Sequence, residues 1–178
     1  MVSPTTGPQP PDGIEPEQIE PRHGLGHHAS LLSIGVLGAI VALGVSGFAG
    51  GRISHLVARG EAAEMTLTTP RVVRSGDILE TRLQVVARQR IGKLVIGVER
   101  GLWREVTTNS MVPAAGDESH GDGFARFAFG PLEAGRSFEW QVAQQINPSL
   151  VGRNRGRVVV FDGERPLAET TVTMEVLP

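Results

Sequence analysis

The residue types best suited to chemistry gather in three short stretches. The first, Gly116-Asp117-Glu118-Ser119-His120-Gly121-Asp122-Gly123, places three carboxylates and an imidazole close together. A hard cation needs several oxygens converging on one point in a fixed ligand register, and this run lacks the EF-hand spacing. Its glycines suit an exposed connecting loop, so no metal is expected. Asp117, Glu118, His120 and Asp122 are nonetheless the chain's ligand candidates. The second stretch holds His23, His27 and His28. Neutral imidazoles can bind a transition metal or act as a proton sensor near neutrality. No fixed spacing links these three, and they read as the polar flank of the apolar segment that follows. The third is Val151-Gly152-Arg153-Asn154-Arg155-Gly156-Arg157. In an extended strand alternate residues share a side, so Arg153, Arg155 and Arg157 would form one positive face. Such a face could grip lipid headgroups or an acidic partner; the alternative is pairing with carboxylates on neighbouring strands.

Catalysis finds little to work with. The chain has no cysteine, which removes disulfides, thiolate metal sites and cysteine nucleophiles together. A Ser-His-Asp triad would have to use His55 or His120, and no nucleophile-elbow sequence surrounds any serine. No phosphate-cradling glycine loop followed by Lys-Ser/Thr is present. The expectation is a protein that is not an enzyme and uses no cofactor. Charge is near balance, with 17 Lys+Arg against 19 Asp+Glu, and gives no basic face of the kind nucleic acid demands. Lys93 is the only lysine, an arginine bias that suits GC-rich bacterial coding. Of the two tryptophans, Trp140 falls in an apolar register and is expected in the core. Trp103, between Arg100 and Arg104, is a candidate interface anchor.

These residues must be positioned by three kinds of segment. Residues 1–28 form an acidic, Pro-rich tail: Pro4, Pro8, Pro10, Pro11, Pro16 and Pro21 punctuate it, and its carboxylates face only Arg22. With few large apolar groups to bury, it reads as disordered. Residues 29–51, ASLLSIGVLGAIVALGVSGFAGG, contain no charge and no proline, matching the roughly 20 residues that cross a hydrocarbon core of about 30 Å. Their leucines, isoleucines, valines and phenylalanine supply roughly −3 to −6 kcal/mol of insertion free energy. The run is longer than a signal-peptide core, which spans about 7–15 residues behind a basic start, so a retained single-pass helix is expected. Gly35/Ala39, Gly38/Ala42 and Gly47/Gly51 have the small-xxx-small spacing that lets helix backbones approach in lipid. They suggest self-association or a membrane-protein partner. Arg52 and Arg59 lean towards a cytoplasmic domain by the positive-inside rule; the domain type favours an extracytoplasmic one, which is the expectation adopted.

After a juxtamembrane linker over 52–63, the period switches to two. Leu79–Ala87, Phe138–Ile146 and Ala168–Val176 alternate apolar and polar residues, and shorter candidates are Met65–Thr69, Leu94–Val98, Glu105–Val112, Phe124–Phe129 and Arg157–Phe161. Asp162-Gly163 between two of them is the strongest hairpin signal. Ser75-Gly76-Asp77 and Glu133-Ala134-Gly135-Arg136 each precede a long strand. Seven to eight strands over 64–178 predict an all-β, immunoglobulin-like antiparallel sandwich.

The run Pro70–Leu79 followed by an alternating strand, and Phe129–Gly135 followed by Phe138–Ile146, resemble the opening and the later strand-turn-strand signature of bacterial Ig-like domains of the CARDB type. The likeness spans about 100 residues. It departs at Arg88-Gln89-Arg90-Ile91-Gly92, where those domains often carry Asn and Gly. The resemblance implies a spacer, adhesion module or assembly platform. Gly135–Pro148 is also similar to a strand of copper-delivering oxidase-assembly proteins, which place a β-sandwich behind one membrane helix. Their copper chemistry needs cysteine thiolates, and this chain has none. The function expected is therefore a membrane-anchored, non-enzymatic domain that binds or stabilises a membrane-protein partner through Arg153, Arg155, Arg157 and Trp103. The alternative is an extracytoplasmic metal- or ligand-handling module using the 116–123 loop.

Overall fold

The computed structural model describes residues 25–46 and 53–178. Contacts divide the chain into two compact units, Met1–Ala49 and Gly50–Pro178. In the first, α1 runs from Leu25 to Val45. It starts four residues before the predicted boundary at 29, because no proline or charge after Arg22 interrupts it. The rest of the predicted tail, residues 1–24, lies outside the described residues, as does the end of the predicted membrane span. Among the described residues no helix is long and apolar enough to cross a membrane. From Leu31 onward every side chain of α1 is exposed, with Leu31, Leu32, Ile34, Leu37, Ile40 and Leu43 spread around its circumference.

Among the described residues the small residues of α1 have no second helix beside them. Gly35, Gly38, Ala39 and Ala42 are all exposed on α1, which is the only helix among the described residues. A Cβ added at Gly35 or Gly38 would meet nothing within 4 Å. Close approach of two backbones needs a second helix, so the Gly35/Ala39 and Gly38/Ala42 pairs are spaced for a contact that this single chain does not make. Gly47 and Gly51, the third pair, lie outside the described residues.

The second unit contains eleven strands in two sheets: β1 (Ile53–Arg59), β2 (Ala63–Pro70), β3 (Val72–Arg74), β4 (Ile78–Ala87), β5 (Ile91–Glu99), β6 (Val106–Val112), β7 (Asp117–Gly121), β8 (Phe124–Leu132), β9 (Ser137–Ile146), β10 (Gly152–Asp162) and β11 (Arg165–Leu177). One sheet runs β1-β2-β4-β9-β6; the other runs β3-β11-β10-β5-β8-β7. All pairs are antiparallel except β3 with β11. The inward rows of the two sheets meet in one apolar core that includes Met65, Leu67, Leu83, Val85, Ile96 and Val160. The architecture is a β-sandwich, as the alternation predicted, but with more strands than the seven to eight expected.

The extra strands are β1, β3 and β7. β1 occupies most of the predicted linker over 52–63. Its outward residues Ile53 and Val57 are apolar and exposed while Leu56 and Ala58 pack on the core, so two apolar faces hide its period. β7 replaces the predicted 116–123 loop. Asp117–Gly121 has a loop's composition, yet its backbone pairs with Phe124–Ala128 of β8 through a tight turn at Asp122-Gly123. Between β10 and β11 the central turn residues are Gly163 and Glu164, one position beyond the predicted pair. Gly163 takes the positive φ (60°) required there. Asp162 instead ends β10, where its carboxylate accepts the Lys93 amide at 2.9 Å.

Candidate interaction surface

β10 alternates strictly over its first half. Arg153, Arg155 and Arg157 are exposed on the outer face, while Asn154 and Gly156 are buried beneath. The strand outruns its neighbour: β5 pairs only from Val158 onward, so residues 152–157 meet the turn 100–105 instead. Asn154, 1% exposed, holds that turn. Its Nδ2 donates to the carbonyls of Leu102 at 3.2 Å and Arg104 at 2.8 Å, and its Oδ1 accepts from Arg104 Nη2 at 3.3 Å. Gly156 and Gly101 let the two backbones close up. A Cβ on Gly156 would lie 2.9 Å from both Leu102 N and Leu102 Cβ, and one on Gly101 would lie 2.7 Å from the Arg155 carbonyl. The sequence Arg-Asn-Arg-Gly-Arg thus presents charge outward because its inward residues are those that can accept a crossing chain.

The three arginines share a face but not an environment. Arg153 Nε pairs with Glu175 at 3.1 Å. Arg157 pairs with Glu99 at 3.4 Å and Glu169 at 3.7 Å, and Glu99 also accepts the Arg157 amide at 2.8 Å. For these two, neighbouring carboxylates largely cancel the positive face foreseen from the sequence. Arg155 differs: among the described residues it has no carboxylate within 4 Å. It borders a shallow open depression of about 350 Å³ that it shares with Glu99, Gly101, Gly156, Arg157 and Thr171. Of its two glycines Gly101 is exposed and Gly156 is buried. An acceptor group of a partner could meet the Arg155 guanidinium there without first displacing an internal carboxylate.

Beside the arginines lies a small apolar cluster that the sequence did not reveal. Val95, Phe124, Ala128, Val159 and Phe161 are buried on the outer face of the six-stranded sheet. Phe124 and Phe161 meet edge to face, 6.2 Å between centroids. They pack over Gly97, where a Cβ would lie 2.7 Å from the Phe161 ring. Two cations cap them: the Arg157 guanidinium is 5.1 Å from the Phe124 centroid and that of Arg126 is 5.0 Å from Phe161. Arg126 is held in turn by Glu164 and, at 3.4 Å, by Asp122. The signal available from sequence was the double-sided apolar run Leu94–Val98 and Val158–Phe161, which requires cover on both faces.

Trp103 is not an exposed anchor. Its half-buried indole packs 5.6 Å from Phe127 and 6.3 Å from Trp140. Trp140 is buried in the core, as its register implied. The 116–123 residues do not form a ligand set. On β7, Asp117 and Ser119 face one way and Glu118 and His120 the other, while Asp122 turns back to Arg126. Among the described residues no group of three or more His, Asp or Glu side chains could hold a metal ion. His27 and His28 fall in the first turn of α1, and His23 lies outside the described residues.

Two further charge clusters are set by ion pairs. The carboxyl of Glu64 is held below the usual glutamate range, chiefly by its hydrogen bond from Arg88 at 2.6 Å and also by Arg59 at 3.3 Å. Arg82 is raised by its hydrogen bond to Glu80.

No family model and no curated protein matches the sequence. Solved structures do resemble the domain. It is similar to a CARDB domain from Pyrococcus furiosus, crystallised with di-metal ions, at 14% identity over 70% of this chain and 95% of that one, TM-score 0.41. It is also similar to the third ScaC cohesin of Acetivibrio cellulolyticus, solved with the ScaB dockerin, at 13% identity, covering 60% and 94% of the two chains, TM-score 0.40. A non-cellulosomal cohesin from Archaeoglobus fulgidus shares 6% identity over 71% and 92%, TM-score 0.36. The CARDB-type resemblance read from the sequence thus recurs among solved structures, and it concerns the arrangement of strands.

Proposed function

We propose that this chain is a non-enzymatic, single-pass membrane protein whose Ig-like domain binds an acidic segment of a membrane-protein partner through the outer face of β10. The carrying observation is that Arg155, with no carboxylate within 4 Å among the described residues, borders an open depression, beside arginines whose carboxylate partners are themselves exposed. The membrane reading is supported by the uncharged run over 29–51, which extends past the described end of α1. It is supported too by the all-round apolar exposure of α1 over 31–45. A soluble helix of that length would bury one stripe and show a polar one opposite. Lipid, or another apolar helix, satisfies such a surface; water does not. The domain's placement outside the cytoplasm belongs to the same proposal.

The test is in-membrane crosslinking of the full chain, comparing the parent with Arg155→Glu and with a helix of scrambled order and equal hydrophobicity. The parent is expected to capture a discrete partner and Arg155→Glu to lose it, since reversing a contact charge typically removes several kcal/mol. Undiminished capture by Arg155→Glu sinks the assignment of the surface. Capture lost only on scrambling would move the interaction to the Gly35/Ala39 and Gly38/Ala42 face of the helix. Recovery in the soluble fraction without detergent would end the membrane reading.

A further inference from the structure

Gln144 breaks an apolar row. The inward residues along the second half of β9 are Trp140, Val142, Gln144 and Ile146, and all four are at most 2% exposed. An amide in such a row must find partners or carry the full desolvation cost of hydrogen bonds left unmade. Gln144 Nε2 has no partner within the protein, and neither has Trp140 Nε1 on the same face of the strand. Among the described residues one other buried side-chain nitrogen shares that condition, Arg126 Nε, and it belongs to the other sheet.

Both donors belong to residues lining one cavity of about 30 Å³ between the sheets. It lies where two apolar clusters of the core meet, with Leu83 and Val172 from the larger cluster and Leu79 and Met174 from a smaller one. Apart from the half-buried Trp103 of the 100–105 turn, the lining side chains that carry nitrogen or oxygen all come from the five-stranded sheet. They are Thr69 on β2, Thr81 on β4, and Trp140 and Gln144 on β9. The two threonine hydroxyls are hydrogen-bonded to each other at 3.1 Å, which leaves acceptor lone pairs on the pair. The six-stranded sheet presents only Val98, Val158, Val172 and Met174. One wall therefore offers two N–H donors and hydroxyl acceptors, and the other offers apolar side chains.

Size and donor set identify the ligand. One water needs about 10–15 Å³ of such space and about two to four polar partners, whereas small organic ligands occupy pockets of about 300–1,000 Å³. No charged side chain is among the described residues that line the cavity, so an ion would enter without a counter-charge, at a high desolvation cost. We infer that the cavity is an internal hydration site, holding one or two waters that accept from Trp140 Nε1 and Gln144 Nε2 and donate to the Thr69–Thr81 hydroxyl pair. The bound water completes the hydrogen bonding of the core at the seam between its two apolar clusters, which is why a glutamine is tolerated in the inward row of β9. The inference concerns the interior of the domain and is independent of the membrane reading and of the β10 face.

Water–protein cross-relaxation in the full-length, nitrogen-15-labelled chain tests this. A long-lived internal water gives cross-peaks at the water frequency to the Trp140 indole proton and to the Gln144 side-chain amide protons, with the sign of a molecule tumbling with the protein. Both side chains are 2% exposed, so surface water does not supply such peaks. Their presence in the parent is the expected result, and their absence overturns the inference in favour of a dry cavity. Exchange of the threonine hydroxyl protons with solvent can imitate the signal. Thr69→Val with Thr81→Val removes both protons at nearly constant shape, and the Trp140 peak is expected to remain because Trp140 and Gln144 still supply two partners. Loss of the peak in that variant assigns the signal to the hydroxyls and overturns the inference. Oxygen-17 relaxation dispersion of water over the unmodified chain is the second measurement and needs no variant to fold, since proton exchange moves no oxygen nucleus. At least one long-lived water is expected; a flat dispersion overturns the site.

Discussion

Replacing Asn154 with alanine should destabilise the domain markedly, while replacing either flanking arginine should not. Asn154 Nδ2 donates to two carbonyls of the crossing turn, Leu102 at 3.2 Å and Arg104 at 2.8 Å. Alanine removes both bonds. The net value of such a bond is about 1 kcal/mol, and a buried acceptor left without a donor costs about 1–3 kcal/mol. The Leu102 bond is buried, whereas that of Arg104 is only partly so, and water can rehydrate the second carbonyl. The sum is about 2–4 kcal/mol, a large part of a typical total stability of about 5–15 kcal/mol. For a domain of this size that lowers Tm by roughly 10 °C. Guanidinium denaturation followed by tryptophan fluorescence checks it, because Trp103 lies in the turn itself and Trp140 in the core beneath. Arg155→Ala is the control, expected within about 0.5 kcal/mol of the parent. If Asn154→Ala also falls within that margin, the turn is held by something other than Asn154 and the account of the Arg-Asn-Arg-Gly-Arg segment is wrong.

Gly156→Ala should cost about 1–3 kcal/mol by overpacking, since the new Cβ would press on the backbone nitrogen of Leu102 at 2.9 Å; unchanged denaturation midpoints would show that the turn yields freely. Glu64 is expected to make stability acid-sensitive. Its folded-state pKa is depressed by Arg88 and Arg59, so its contribution is fully present above the ordinary glutamate range and is lost as pH falls through the depressed value. Glu64→Gln should accordingly flatten the acid limb of a stability–pH curve, and an unaltered limb would assign that dependence to other carboxylates.

Strands with one buried and one wetted face were legible in the residue pattern alone. β4, β9 and β11 alternate because polar and apolar residues face different media. β5 and the second half of β10 are buried on both sides, so their period vanishes and only short apolar runs remain. β7 was invisible because its residues have no strand preference; pairing with β8 overrides composition. Trp103 was misplaced because the cations beside it in sequence say nothing of Phe127, which arrives from β8. The arginine pairs illustrate a subtler limit. Counting back from the hairpin turn, Asp162 opposite Arg165 would set Arg153 opposite Met174, an apolar inward residue. A bulge between Val160 and Phe161 shifts the register by one and sets Arg153 opposite Glu175 instead. A one-residue slip exchanges the two faces of a strand, so the identity of the carboxylates that neutralise Arg153 and Arg157 could not be read from turn position alone.

That neutralisation determines how the β10 face could be selective. Arg157 and Arg126 are engaged as caps over Phe124 and Phe161, and Arg157 and Arg153 carry exposed carboxylate partners. Exposed pairs of this kind contribute about 0–1 kcal/mol. A partner carboxylate that replaces Glu175 or Glu169 therefore exchanges one modest pair for another and gains little. Among the described residues Arg155 has no carboxylate partner to give up, so an acceptor placed there adds its full contact energy. Recognition on this face would then depend on one acidic group at one position. Salt should slow encounter through the whole charged surface, whereas removal of Arg155 should act mainly on dissociation. Equal salt dependence of both rates in Arg155→Ala and parent, with unchanged dissociation, would mean that no single arginine on β10 is distinguished.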